Sequence, residues 1–186
     1  ATGTTVLTTA TLANNGSLVI DKTGGVFYIN TSGILSNAAA ATFDLQSDLG
    51  ITSSTGGGSI SNAGTLTKTA GTAAAIGSLV PVNFTNGSTV NVSAGREISF
   101  VGGGSFAGTV TGLGVGGTLD GGNWSSSGGT LAGQWQWRAG TLNSGTLTNT
   151  GTLHITGASG NAILTTATLA NSGSVIIDKT GGVFYL

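Results

Sequence analysis

A stretch near the start of the chain returns almost unchanged at its end. Residues 7–29, LTTATLANNGSLVIDKTGGVFYI, recur at 164–186 as LTTATLANSGSVIIDKTGGVFYL. Nineteen of the 23 positions are identical, and the exceptions are mild: Asn15/Ser172, Leu18/Val175, Val19/Ile176 and Ile29/Leu186. Upstream, Ala1-Thr2-Gly3 answers Ala158-Ser159-Gly160 at the same offset of 157. Self-similarity at a fixed period is the mark of repeat architecture. Residues 1–157 therefore read as one complete long repeat, and 158–186 as the start of the next, continuous with it. The parent molecule is expected to be a tandem array.

A finer period lies inside the long one. A motif of the form apolar-x-Asn-x-Gly-(Ser/Thr)-apolar appears as LANNGSL (12–18), ISNAGTL (60–66), FTNGSTV (84–90), LTNTGTL (147–153) and LANSGSV (169–175). Looser versions end at Phe43, Val110 and Leu131. Taking the closing apolar residue as a marker gives Leu18, Phe43, Leu66, Val90, Val110, Leu131, Leu153 and Val175. Those markers divide the long repeat into seven coils of about 22 residues, the period of a solenoid. Short alternating runs such as SLVID, TVNVS and TLHIT put successive side chains on opposite faces, as half-buried strands do. Asn-Gly and Gly-Gly pairs between them supply corner residues.

The fold class that follows is all-β: a right-handed parallel β-helix, with the hand set by the crossover rule. Stacking aligns the eight markers into one interior ladder. Leu12, Leu35, Ile60, Phe84, Leu147 and Leu169 form a second. With strands about 4.8 Å apart, one long repeat advances roughly 34 Å.

Composition agrees with a stack rather than a helical or disordered chain. Gly, Thr, Ser and Asn fill more than half the sequence, and only 6% of it is charged, against roughly 25% in a typical soluble domain. Disorder goes with low hydrophobicity and high net charge; here mean hydropathy is +0.31 and net charge −1. Thr, Ser and Asn can stack on their own copies without like-charge repulsion. Lys68 breaks the pattern, two residues after marker Leu66, where Ile20, Val92, Ile155 and Ile177 stand elsewhere. A local bulge or an outward-snorkelling lysine is expected there. No basic stretch exists to neutralise phosphates, so nucleic acid is not an expected partner. No apolar run approaches the roughly 20 residues of a membrane span.

The stretch NAAAATFDLQSDLGI, followed by SISNAGTLTKTAGT, FTNGSTVNVSAG and GGGSFAGTV, resembles long repeats of giant secreted bacterial surface proteins. These are of the autotransporter-passenger and filamentous-haemagglutinin-like kind. DGGNWSSSGGTLAGQW and RAGTLNSGTLTNTGTL continue the same style. The resemblance implies a β-helical shaft on or outside a bacterial cell, serving adhesion or building matrix fibre.

Chemistry is sparse. Parallel β-helices include polysaccharide-degrading enzymes, whose sites need carboxylates close together or a carboxylate beside Arg or Lys. The carboxylates are Asp21, Asp44, Asp48, Glu97, Asp120 and Asp178. Asp44 and Asp48 share a coil, and capping of a turn is the simpler reading. His154 is expected on the exterior without a partner. DKTGG at 21–25 and 178–182 reads as a turn, and six dispersed carboxylates offer no calcium cage. With no cysteine, disulfides and Cys-based sites are excluded. Catalytic, metal and cofactor sites are therefore not expected. Thr-x-Thr triplets such as 9–11 and 67–69 fall at different places relative to the markers, which argues against an ice-binding lattice.

Trp135, Trp137 and Arg138 carry two readings. In Gln134-Trp135-Gln136-Trp137-Arg138 both indoles share one face of a strand. Outside, they would form a sugar-stacking platform beside Arg138; inside, they would fill a wider coil. The function expected is structural: a stiff extracellular fibre, sheath or stalk, or alternatively an adhesin shaft that binds surface glycans. A polysaccharide-degrading enzyme is the remaining reading. Neighbouring repeats or identical chains stacked end to end are the expected partners, with lateral self-association favoured by the low charge.

Overall fold

The computed structural model describes residues 3–186; the Ala1-Thr2 part of the upstream match lies outside them. All regular structure there is β, in twenty strands joined into one sheet, and every strand pairing is parallel. Apart from the pairings of one long strand, each strand pairs with the strand three further along the chain. Thr5 lies opposite Phe27, Phe27 opposite Ile51, and Ala162 opposite Phe184. The chain is thus a right-handed parallel β-solenoid of about eight turns, with coils near 22 residues.

Three faces result. Face A carries β1 (Thr5–Thr8), β4 (Phe27–Asn30), β7 (Ile51–Thr52), β10 (Ala73–Ile76), β13 (Glu97–Phe100), β17 (Ala162–Leu164) and β20 (Phe184–Tyr185). Face B carries β2 (Thr11–Asn14), β5 (Ile34–Asn37), β8 (Ser59–Asn62), β11 (Val82–Phe84), β14 (Gly104–Phe106) and β18 (Ala167–Asn171). Face C carries β3 (Ser17–Ile20), β6 (Thr42–Leu45), β9 (Thr65–Lys68), β12 (Ser88–Val92), β16 (Thr152–Ile155) and β19 (Ser174–Ile177). Strand β15 (Thr109–Asn149) runs through all three faces without a break. It pairs with β12, β14 and β13 on one side and with β16, β17 and β18 on the other. Here the coils are shortest: Phe100 lies opposite Leu119, and Trp135 opposite Leu153. No residues are left over for loops, so the corners bend inside the strand. Gly145 marks one such bend: its φ is +77°, and a Cβ there would overlap the Ser126 carbonyl oxygen.

Alternation along each strand sends every second side chain inward. In β8 Ile60 and Asn62 are buried while Ser59 and Ser61 face out. The interior is one aliphatic and aromatic column, and each fully buried Val, Leu, Ile or Phe contributes about 1.5–3 kcal/mol. The two copies of the repeated stretch occupy equivalent places. Strands β1, β2, β3 and β4 recur, one long repeat further on, as β17, β18, β19 and β20.

The marker ladder is continuous from Leu18 through Phe43 and Leu66 to Val90, and again from Leu153 to Val175. In between it shifts. Val110 pairs with Ser88, so Gly112 lies opposite Val90; Trp135, not Leu131, lies opposite Leu153. Val110 and Leu131 are fully buried, but out of register with that row. The cause is volume. The Trp135 indole fills the layer, and a Cβ on Gly117 would strike the Trp135 and Phe100 rings. Glycines stand where a marker-spaced chain would place side chains.

The second ladder also shifts. Leu12, Leu35 and Ile60 align, but Val82 rather than Phe84 lies opposite Ile60. Phe84 takes the place of an asparagine, opposite Asn62. That column begins with Asn14, Asn37 and Asn62, whose amides form a hydrogen-bonded ladder. Asn14 Nδ2 donates to Asn37 Oδ1, and Asn37 Nδ2 to Asn62 Oδ1, both at 2.7 Å. Asn149 and Asn171 repeat the link at 2.8 Å. From Phe84 the column turns aromatic, and the Phe84 and Phe106 rings stack at 5.4 Å.

Lys68 departs from expectation. It neither bulges nor reaches outward: it is fully buried, opposite Val92. Its ammonium donates to the carbonyls of Ser47 (2.9 Å) and Leu45 (3.3 Å) and lies 3.3 Å from Asp48 Oδ1. The corner beyond β6 turns its carbonyls inward, so the charge is solvated by backbone instead of water.

Candidate functional site

The register distributes charge unevenly. Asp21, Lys22, Asp48, Arg96, Arg138, Asp178 and Lys179 lie at the corner between faces C and A. Asp44, Lys68 and His154 lie on face C, and Glu97 and Asp120 at face A. Together these are all eleven charged residues and the histidine. Face B and both corners beside it carry none. The charged edge is where a site would form.

Its first cluster spans the second and third coils. Asp44 accepts hydrogen bonds from Thr69 N at 3.1 Å and Gln46 Nε2 at 2.9 Å. Asp48 Oδ1 accepts from the backbone N–H groups of Thr72 and Ala73 and from Lys68. Both carboxylates therefore cap a turn, as expected, and the turn is the corner of the next coil. The Thr72 N–H, reinforced by Lys68 and Ala73, holds the Asp48 carboxyl below its ordinary range. Such a group stays ionised and is a poor proton donor.

A groove runs beside this cluster. Asp21, Lys22, Thr23, Gln46, Ser47, Asp48, Leu49 and Gly71 line a recess of about 430 Å³. It continues at Leu49 into an apolar recess along Gly25, Val26, Ile51 and Ala75. The coils here, from Phe27 round to Ile51 and from Ile51 round to Ile76, are longer than those that β15 forms. The surplus residues form the groove walls.

Arg138 centres the second cluster. Its guanidinium pairs with Glu97, far upstream in sequence, and lies 2.8 Å from Asp120 Oδ2. Desolvation works against its charge, but the Glu97 and Asp120 interactions outweigh that and raise its pKa. A third pair joins His154 Nε2 to Asp178 Oδ1 at 2.6 Å. His154 is thus not without a partner: the next coil supplies one in Asp178, and the close imidazole lowers the Asp178 pKa. Among the described residues no three of His, Cys, Asp and Glu gather to hold a metal ion.

The sugar-stacking platform does not form. Trp135 and Trp137 are each 1% exposed, inside the column, and Trp124 joins them there. Trp124 Nε1 donates to Gly121 O at 2.9 Å and Trp135 Nε1 to Ala132 O at 3.2 Å. Trp135 meets Phe84 and Phe106 edge to face with centroids 6.0 Å apart. The side chains alternate as expected, but the shared face is the inner one. Arg138, next in sequence, points the other way and meets carboxylates.

What residue-by-residue reading misses is the segregation of charge and the pairing across coils. The signal was present. Every charged residue falls within ten positions after a marker, so aligning coils by marker keeps all of them off face B. The chain matches no family model, and neither the curated proteins nor the solved structures compared with it give a match.

Proposed function

We propose that this chain is a structural module of an extracellular β-solenoid rod, on or outside a bacterial cell, acting by stiffness rather than catalysis. The observation that carries the proposal is the equivalence of β1–β4 with β17–β20, one long repeat apart. A unit whose end repeats its own beginning can be continued by another unit in register, each coil hydrogen-bonding to the one below. Nearest-neighbour stacking of this kind makes length cheap and requires no disulfide. The bacterial-surface setting rests on the resemblance of the repeat to giant secreted surface proteins. Engagement of Asp44, Asp48, Glu97 and Asp120 in capping and ion pairs supports a mechanical reading over an enzymatic one.

Electron microscopy of the native surface or secreted material, with power spectra of any filament, tests the proposal. Rods with an axial layer line near about 4.8 Å and a longer repeat near seven times that are expected. Globular particles without axial periodicity would refute it. The adhesin reading loses its tryptophan platform and keeps the corner groove at Asp21, Lys22, Gln46 and Asp48 as its binding place. A glycan array probed with the protein and with Gln46→Ala checks that reading.

A further inference from the structure

We infer that face B is a lateral docking surface for a second copy of this chain, so that rods associate side by side through it. The inference rests on the rod reading and assigns that rod a contact face. The first observation is the confinement of all eleven charges to faces A and C and the corner between them. A two-fold contact sets a surface against itself, where any charged row would meet its own copy, and like charges so placed are strongly unfavourable. Exclusion of charge from a single face and its two corners, in every coil, suits that contact.

The second observation is relief. One outward row of face B runs Ala13, Ser36, Ser61, Asn83, Ser105 and Ser125 in register. These side chains are short, and the Ser105 hydroxyl is held by Asn83 Oδ1 at 2.9 Å. The surface is therefore flat, and two copies share the same spacing along the axis, so rows can interdigitate. Ile34 on the face and Leu79 at its corner add exposed apolar area, at 37% and 48% exposure. A glycan would look for aromatic rings, and the aromatic side chains nearest this face, Phe84, Phe106 and Trp124, are buried behind it.

Size sets the strength. Four residues across and about eight strands along give roughly 13 by 38 Å, about 500 Å² per copy. Standard interfaces bury about 800 Å² per partner, so a chain of this length associates weakly. Each further coil adds about 60 Å². Affinity should therefore rise steeply with the number of repeats.

Sedimentation velocity of the full chain over a concentration series tests the inference. A monomer–dimer equilibrium that is insensitive to sodium chloride is expected. Ser61→Lys with Ser105→Lys should weaken it at least about tenfold through like-charge opposition. Ala73→Lys with Asn91→Lys, on faces A and C, should change it less than about twofold. Circular dichroism melts of both variants establish folding, and the glutamate version of the face B pair gives a second reading if the lysines fail to fold. A chain that stays monomeric to about 1 mM, or equal effects of the two lysine pairs, would overturn the inference. Either result leaves the rod reading intact, because axial periodicity is measured independently.

Discussion

Replacing Asn37 by leucine tests how the interior column is held. Asn37 is 1% exposed and sits between Asn14 and Asn62. Its amide also donates to the Thr65 carbonyl at 3.1 Å. Leucine matches its shape but makes none of these bonds. Asn62 Oδ1 then loses its donor in a fully buried position, and the Thr65 carbonyl loses a side-chain partner. Asn14 Nδ2 loses Asn37 Oδ1 but keeps the Thr42 carbonyl at 2.8 Å. An unsatisfied buried polar group costs about 1–3 kcal/mol. One full loss and two partial ones set the expected destabilisation at about 2–4 kcal/mol. Urea unfolding followed by far-UV circular dichroism measures it, with Ser36→Ala on the outer row as a control expected within about 0.5 kcal/mol.

The same column supplies the sharper arm of the test. At Phe84 and Phe106 it is aromatic, so the backbone there tolerates an apolar stretch of the column when its neighbours are apolar too. Leucine at Asn14, Asn37 and Asn62 together should therefore cost clearly less than the sum of the three single changes. The residual cost comes from the turn groups these amides also serve, such as Gly64 O at 3.0 Å from Asn62 Nδ2. Coupling of about 0.5–3 kcal/mol is ordinary for residues in one network. Strict additivity, or a single-mutant cost below about 0.5 kcal/mol, would refute the reasoning that the ladder acts as a connected unit.

Trp135→Ala should destabilise the fold by about 3–5 kcal/mol and leave glycan binding unchanged, as read by thermal melts and a glycan array. Lys68→Met should cost far less than Lys68→Ala, since methionine refills the volume while alanine leaves a cavity worth about 2–4 kcal/mol; paired urea titrations compare the two. Asp178, whose folded pKa is depressed by His154, adds stability above its unfolded pKa that is lost as pH falls through the folded one. Asp178→Asn should thus lower the melting temperature above about pH 4, where that contribution is fully present, and converge with the parent chain at lower pH, flattening the acid limb of the profile.

Period, fold class and coil number were legible because stacking makes one physical demand in every coil: an apolar residue at a fixed angle around the axis. Leu18, Phe43, Leu66 and Val90 answer it literally, so spacing alone orders them. Where the motif lost its asparagine, at GSFAGTV and SSSGGTL, spacing misled. At Val110 and Leu131 the volume of a layer is supplied from elsewhere in the coil, by Trp135 against Gly112 and Gly117. Spacing counts residues, but packing fills volume, and the two agree only while side chains have similar size. Lys68 failed for a related reason: its hydropathy says exterior, and nothing in its own coil announces the inward carbonyls of Leu45 and Ser47 in the coil before. Charge pairing and charge segregation share that origin, since Arg138 and Glu97 are distant in sequence and adjacent only in the stack.

The position of the charges also constrains what the solenoid can be used for. A rod that had only to stay soluble would gain from charge spread around its circumference, because net charge opposes association. Here several charges pair with one another, as Arg138 does with Glu97 and Asp120, and Lys68 with Asp48, while Lys22 and Lys179 are held by backbone carbonyls. Paired charges contribute little long-range repulsion. The remaining circumference presents hydroxyls, small side chains, glycines and scattered aliphatic side chains such as Ile34 and Leu79, none of which repels a copy or attracts an ion. Stability along the axis comes from the interior column and the inter-coil hydrogen bonds, so the outer faces are free of any structural requirement for charge. A surface relieved of that requirement, yet kept neutral on a single face in every coil, is better matched to contact with its own kind than to solvent alone.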